Sequence, residues 1–344
     1  MIPIQVLTHY NVGVPLRIKK ISNGFVHTSY KVQTTKGTFL LQKLHAKLGT
    51  PAYTRSYRAV AAALRREDMV AQEVLRDKKG RVHIPDRPTG WRLVTFVPGH
   101  VITGVPTPAQ ATKLASTLGR VHLALKHFPA RNCSPMSMHQ TAKIYGELRE
   151  TLRQYRRSSL WRAMDKPAAH IERELPGLLL PPHLPKHTIH GDTKINNFVL
   201  LRGGGATMID LDTCTHASPL LDLGEIFGGD ALAGAWCRMS TNPPKFNAAI
   251  FKATLVGYKK SAAHFLSKTE QGYIVQATKL LVLELAARFL IDYFKDSYFG
   301  WDGTMYPSRR AHNLARVNAQ IAYYNDIVRQ EPQLQKIVSN AFAR

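Results

Sequence analysis

Cysteine is scarce in this chain. Cys133, Cys214 and Cys237 are the only three in 344 residues. They are odd in number and widely spaced, so neither a disulfide framework nor a cysteine metal site is expected. Acidic residues are also few: 23 Asp and Glu stand against 47 Lys and Arg, a formal net charge of +24. No uncharged apolar run reaches the roughly 18 to 20 residues that a membrane helix needs. The start, "MIPIQVLTHYNVGVPLRIKK", lacks the charged, apolar and small-residue segments of a secretory signal. A reducing cytoplasm is therefore the expected location.

What is present is a globular composition, 44% hydrophobic with apolar segments from end to end. The charge fits either a nucleic-acid partner or a basic surface around a site for an anionic small molecule. Basic residues gather at Arg55, Arg58, Arg65 and Arg66, at Arg153, Arg156 and Arg157, and at Arg309 and Arg310. They are not interleaved with aromatics, and no nucleic-acid module signature accompanies them. A field of this sign repels cationic substrates such as amino alcohols or aminoglycosides unless a local acidic pocket overrules it.

The pattern along the chain changes character near residue 100. Before it, "IKKISNGF", "HTSYKVQTT" and "TFLLQKL" read as strands, with Lys36-Gly37 as a tight turn. A helix is predicted over about Thr54 to Arg76, from Ala59, Ala62, Ala63, Met69 and Val70 at near-helical spacing. "RVHIP" and "WRLVTFV" predict two more strands, and "PGHVI" marks a hinge. Beyond it, Thr107-Pro108 is a helix start, with Thr as N-cap and Pro at the first helical position. Long helical segments follow over about 246–266, 270–296 and 311–330. The expected architecture is α+β: a small antiparallel-sheet lobe over 1–98, a hinge at about 95–100, and a larger, mainly helical lobe over 99–344.

The stretch "HTIHGDTKINNFVL", residues 187–200, is the most polar island among these elements. Asn197 lies five residues after Asp192. Asp210 lies eighteen after it, at the end of the apolar strand "ATMID", and Asp212 follows on the same face of the extended chain. Phosphoryl transfer needs these groups. One carboxylate orients the attacking hydroxyl and accepts its proton, and an amide oxygen with a second carboxylate holds the magnesium that neutralises the phosphates. A loop followed by a short hairpin brings Asp192, Asn197 and Asp210 to one centre.

"HGDTKINN" followed by "MIDLD" resembles the Brenner-type signature of aminoglycoside and choline phosphotransferases, which have the two-lobed protein-kinase-like fold. "NGFVHTSYKV" with "TFLLQKLH", "IDLDTCTHASPLLDLGE", "LELAARFLIDYFKDSYF" and "HNLARVNAQIAYYNDI" are similar to the N-acetylhexosamine 1-kinase branch. The resemblance covers most of the chain. It implies an ATP- and Mg²⁺-dependent kinase that phosphorylates a small molecule, with the anomeric hydroxyl of an N-acetylhexosamine as the expected acceptor. Alternatives are an aminoglycoside, an amino alcohol, hydroxylysine or another sugar, or a basic nucleic-acid-binding protein that keeps only the fold.

The resemblance also implies roles. Asp192 orients the sugar hydroxyl or acts as its base. Asn197 and Asp210 bind Mg²⁺, and Asp212 reaches metal or substrate. Gly24 and His27 lie in the hairpin over the nucleotide, with His27 near the substrate as well. Thr95, Phe96 and Val97 meet the adenine through backbone groups, and Arg288 and Tyr298 contact sugar or phosphate. The hairpin departs from a phosphate-gripping loop in having one glycine, Gly24. The third strand should present a cation to the phosphates. Register allows Gln42, charge favours Lys43, and Glu67 or Glu73 is the candidate acidic partner. His190 reads as a brace for the turn, and Asp222 as a helix-start carboxylate bonding amides. Arg288 is either a substrate contact or the ion-pair partner of Glu284 or Asp292. Lys194 reaches either the transferring phosphate or solvent.

Overall fold

A computed structural model describes residues 2–21, 27–45, 49–134 and 137–343. After a short helix, α1 (Pro3–Leu7), the strands β1 (Pro15–Ile21), β2 (Thr28–Thr34) and β3 (Gly37–Lys43) run as an antiparallel meander. The helix α2 (Pro51–Arg66) crosses before β4 (Ile84–Asp86) and β5 (Thr89–Thr95) complete a five-stranded sheet in the order β1-β2-β3-β5-β4.

Side chains alternate across these strands with a period of two. On one face Leu41, Trp91 and Leu93 join Val6, Leu7, Tyr10, Val12, Val32 and Ile84 in a small core. On the other, Val94 packs with Tyr57, Val60 and Leu64 of α2 into the main core of the molecule. Gln42 and Arg92 are register partners on that inner face. The helix expected to reach Arg76 stops at Arg66. Asp68 adopts a left-handed conformation (φ 52°), and the chain beyond it lies along the sheet, with Val74 bridging Val94. Of the apolar residues that suggested more helix, Met69 is buried against other elements, whereas Val70 is 47% exposed.

A short strand, β6 (Gly99–Val101), leads into the helical part, which begins with α3 (Pro108–Ala124). The Thr107 hydroxyl accepts the Gln110 amide N–H, and the Gln110 side chain returns to the Thr107 amide, a complete capping box. Two helices, α4 (Thr141–Tyr155) and α5 (Asp165–Glu174), precede the short strands β7 (His187–Ile189), β8 (Phe198–Leu201), β9 (Ala206–Met208) and β10 (Thr215–Ala217). These pair as β6-β8-β9 and β7-β10. Then follow α6 (Leu220–Gly228), the hairpin β11 (Arg238–Met239) and β12 (Lys245–Phe246), α7 (Ala248–Ala262), α8 (Lys268–Gly272), α9 (Ile274–Lys295) and α10 (Arg309–Phe342).

The helix α9 is buried nearly all round and packs against α6 and α10. A Cβ on Gly224 of α6 would stand 2.7 Å from the Ala277 carbonyl oxygen of α9, so only glycine allows this approach. That contact matters to the site, because α6 also carries Asp222. Among the described residues no helix is long and apolar enough to cross a membrane. The architecture is the expected α+β one, an antiparallel sheet followed by a helical part.

Candidate active site

The turn between β7 and β8 carries the polar island. Gly191 has φ +77°, and a Cβ there would meet the Thr213 carbonyl oxygen at 2.5 Å. A β-carbon is excluded on both counts. Asp222, on the first turn of α6 and fully buried, accepts the His190 and Gly191 amides at 2.8 Å each and His122 Nε2 at 3.0 Å. It thus bonds amides, as its helix-start position suggested, but those of the loop rather than of its own helix. The His190 ring braces the turn. Its Nε2 donates to the Ile209 carbonyl (3.0 Å), and its Nδ1 accepts the Asp192 amide (3.3 Å). Breaking such a network costs about 1–3 kcal/mol per orphaned group.

On this frame sit the candidate site residues. Asn197 Nδ2 donates to the Asp192 backbone oxygen (2.8 Å) and to Asp192 Oδ2 (3.0 Å). Its own Oδ1 is thereby turned away from Asp192. Lys194 Nζ lies 2.6 Å from Asp192 Oδ2. Burial raises the Asp192 pKa, but Lys194, His190 and Asn197 outweigh it, and the net direction is down. Asp192 is an ionised acceptor. The Ile209 amide donates to the Asn197 carbonyl at 2.9 Å, which sets the position of the next residue, Asp210.

Asp210 is unlike its neighbours. It takes a left-handed backbone (φ 65°, ψ 57°), a strained conformation for a non-glycine residue. Desolvation first, then the charges of Asp212 and Asp192, push its pKa up against the pull of Lys194. Its carboxylate receives no hydrogen bond from any described residue, although it is half-buried. A carboxylate held in this way fits a cation. Asn197 and Asp210 with phosphate oxygens and water match the few protein oxygens that Mg²⁺ accepts. Among the described residues no cluster of three or more His, Cys, Asp or Glu would cage a metal alone.

The structure brings His27 to the same place. His27 Nδ1 accepts the His45 amide (3.1 Å), and Nε2 lies 3.4 Å from Asp212 Oδ2. Gly24 falls outside the described residues. Asp212 differs from the expectation of metal or substrate contact. It is 4% exposed, and its oxygens accept from Arg92 NH1 (2.6 Å) and NH2 (2.5 Å). Burial would raise its pKa, but the Arg92 guanidinium holds it well below the carboxylate range.

Lys43 requires correction. It alternates onto the outer face with Trp91, 5.6 Å above that ring, and meets Asp86 at 3.8 Å with its side chain 45% exposed. Gln42 faces inward. Neither Glu67 nor Glu73 serves as an acidic partner there: Glu67 caps the end of α2, and Glu73 pairs with Arg65 at 2.6 Å.

At the hinge, the Thr95 amide bonds the Glu73 carbonyl, the Thr95 carbonyl accepts Gln72 Nε2, and the Phe96 amide bonds the Thr38 carbonyl. Among the described residues the Phe96 carbonyl and the Val97 amide make no backbone hydrogen bond. They are the groups of that triplet left for a ligand.

On the acceptor side, Arg288 has neither of the ion pairs considered for it. Glu284 accepts His139 Nδ1 (2.9 Å) and the Thr141 hydroxyl. Asp292 accepts the amides of Ser297, Tyr298 and Phe299 and Asn313 Nδ2. The Arg288 guanidinium is half-buried, 5.6 Å from the Phe299 ring centre. Tyr298 is 61% exposed.

A second group was missed in the sequence. Glu225 of α6 accepts the Thr193 amide directly behind Asp192, and His139 Nε2 stands 3.6 Å from it. His139 lies between Glu225 and Glu284. Burial would lower its pKa, but the two carboxylates raise it to about 10. No motif signals this triad, since His139, Glu225 and Glu284 are far apart in sequence. Arg92 did leave a signal: a cation inside the apolar strand "WRLVTF" needs a buried partner.

A profile of the phosphotransferase enzyme family, APH, matches residues 17–264, a span that holds the sheet, the loop and the Asp210 turn. The chain belongs to this phosphotransferase family. It is an enzyme that phosphorylates a hydroxyl group. Named relatives include the homoserine kinase of Caulobacter sp. strain K31, 24% identical over 293 residues, with 84% of each chain covered. The homoserine kinase of Nitrobacter winogradskyi is 25% identical over 292 residues, covering 83% of this chain and 81% of that one. Among solved structures, an aminoglycoside phosphotransferase of Alicyclobacillus acidocaldarius superposes with TM-score 0.66 at 12% identity, covering 98% of this chain and 97% of that one. A microcompartment-associated aminopropanol kinase gives 0.65 at 16% identity, with 96% and 97% covered. At such identities these two show the fold alone, the kinase-like one. The homoserine kinase relatives do not support the finer resemblance to N-acetylhexosamine 1-kinases.

Proposed function

We propose that this phosphotransferase moves the γ-phosphoryl group of ATP to the hydroxyl of a small metabolite, with Asp192 orienting the hydroxyl and accepting its proton. The observation that carries this reading is the convergence of three groups from one loop and its hairpin: an ionised Asp192, an Asn197 whose amide nitrogen is committed to it, and a half-buried Asp210 that meets no donor among the described residues. Asn197 and Asp210 hold Mg²⁺, which when bound neutralises the charge of the phosphates. Lys194 screens the negative charge between Asp192 and Asp210. The Phe96 carbonyl and the Val97 amide face the adenine. Catalysis is then mainly positioning and charge neutralisation by groups already in place. The domain reading is 1–98 for the nucleotide lobe and 99–344 for the acceptor lobe.

For the acceptor, the motifs favour an N-acetylhexosamine, whereas the relatives are named homoserine kinases. One observation favours an amino-bearing alcohol as a second reading. The wall behind Asp192 carries Glu225 and Glu284 against one imidazolium, which gives the local acidity that a cationic acceptor requires in a chain of net charge +24. Half-buried Arg288, with no ion pair among the described residues, suits a carboxylate or phosphate on the same acceptor.

The test is ATP consumption with magnesium over a panel of N-acetylhexosamines, homoserine, aminopropanol, choline and aminoglycosides, with thermal shift as a parallel binding readout. Turnover with one class selects the acceptor. Absence of Mg-ATP stabilisation, together with a salt-sensitive shift of nucleic acid, transfers the assignment to the basic-surface reading.

A further inference from the structure

Among the described residues, the inner face of the sheet lacks a charge arrangement that its position calls for. Phosphoryl-transfer enzymes of this architecture use a third-strand cation held by a helix carboxylate. Here β3 offers Gln42 on that face, and α2, "PAYTRSYRAVAAALRR", contains no acidic residue. In place of the pair stand Arg92 on β5 and Asp212 in the turn after Asp210. Arg92 is 1% exposed and forks onto both Asp212 oxygens, with NH1 at 2.6 Å. Its Nε donates to Gln42 Oε1 at 2.8 Å, and Gln42 Nε2 donates to Ser29 Oγ at 3.3 Å. The Tyr57 ring of α2 lies 4.4 Å from the guanidinium carbon, and its hydroxyl donates to Gln72 Oε1 at 2.8 Å. His27 touches Asp212 from the other side. One network therefore links β2, β3, β5 and α2 to the loop that presents Asp210.

We infer that Arg92 is a positioning residue that supplies, from β5, the cation missing from β3. By gripping Asp212 it fixes the left-handed turn of Asp210 and ties the sheet to the helical part. Three features support this. The fork is bidentate, which fixes orientation as well as distance. The pair spans 120 residues of chain and, beside the His27 contact to the same carboxylate, joins the sheet to that loop through buried charge. Both partners are buried, so they act on the ligands only through their neighbours. Gln42 has the register of the missing cation and orients its replacement.

The test uses full-length protein and three variants: R92Q, Q42K/R92Q and R92Q/D212N. Hydrogen exchange without ligands reads the pin directly. R92Q is expected to speed exchange in 28–45 and 209–214 together by about tenfold, with less change in α9. Q42K/R92Q returns a cation from the neighbouring strand and restores protection in both segments. In assays, R92Q loses about 100-fold in kcat/KM for Mg-ATP and needs more magnesium for half-activation, with a smaller change in acceptor KM. Q42K/R92Q recovers about tenfold of that loss. R92Q/D212N leaves no orphan charge, so it melts like the parent but stays impaired. If R92Q is too unstable to purify, the two double variants carry the comparison. Unchanged exchange in R92Q, no recovery in Q42K/R92Q, or parental kinetics in R92Q/D212N overturns the inference. The assay arm rests on the kinase reading. The exchange arm does not, so the two can fail separately.

Discussion

Two regions present charge to the same centre, and they are built differently. The loop from His190 to Asn197, with Asp210, draws its reactive groups from twenty-one consecutive residues, 190–210. Its internal bonds are local, and Asp222 anchors it from the next helix. The inner face of the sheet draws on Ser29, Gln42, Tyr57, Arg92 and Asp212, spread over most of the first 212 residues. Spacing along the chain specifies the first. Strand register and packing specify the second, where a one-residue slip would exchange Gln42 for Lys43. Chemistry confined to a loop survives as a motif, whereas chemistry assembled across a sheet can change residues while keeping its charge.

The largest effect should come from the loop. Asp192→Asn keeps the size of the side chain but removes the proposed proton acceptor, and turnover should fall by about a thousandfold at an unchanged melting temperature. Near-normal phosphorylation by the purified variant would mean that the loop is not the reactive half. Asp210→Ala comes next. We expect loss of activity of about 100-fold with a weakened magnesium response, and an unaltered magnesium titration would remove Asp210 from the metal site.

The triad behind the loop gives a smaller, pH-dependent effect on stability. His139 has an ordinary pKa near 6.5, raised to about 10 in the fold. Its contribution is full below about pH 6.5 and fades as pH climbs through 10. Melting temperature should decline over that window, and His139→Gln should flatten the decline. A parallel decline in the variant would place the effect elsewhere. The smallest effect should be that of Lys43→Ala. Its exposed pair with Asp86 is worth about 0.2–1 kcal/mol, and Mg-ATP kinetics should stay within about twofold of the parent. A large rise in KM for Mg-ATP would put Lys43 back on the phosphates and weaken the contrast between the two regions.

Much of this was legible in the sequence. Alternating strands, the Thr107-Pro108 helix start and the apolar helices gave the α+β layout, because periodicity reports which faces must be buried. The spacing of Asp192, Asn197 and Asp210 singled out the loop as a candidate site, and the structure brings these residues together because a tight turn and a short hairpin leave little freedom to the groups they carry. The helix α2 ends ten residues before the expected Arg76 because Met69 and Val70 are apolar without being helical. Lys43 was favoured because charge was weighed above alternation. Arg288 looked like an ion-pair member because Glu284 and Asp292 are its helical neighbours, yet Glu284 is consumed by His139 and Asp292 by the amides just after α9 and by Asn313.

By itself, then, the sequence determined the layout and singled out the candidate loop, since both follow from short-range spacing and the burial of apolar faces. Only the tertiary structure decided that Arg92 rather than Lys43 lies on the inner face, that Asp212 holds it, and which carboxylates back the loop. Those depend on residues up to 145 positions apart, and packing alone sets that long-range pairing of buried charge, because a buried ion is tolerated only where the fold delivers its partner.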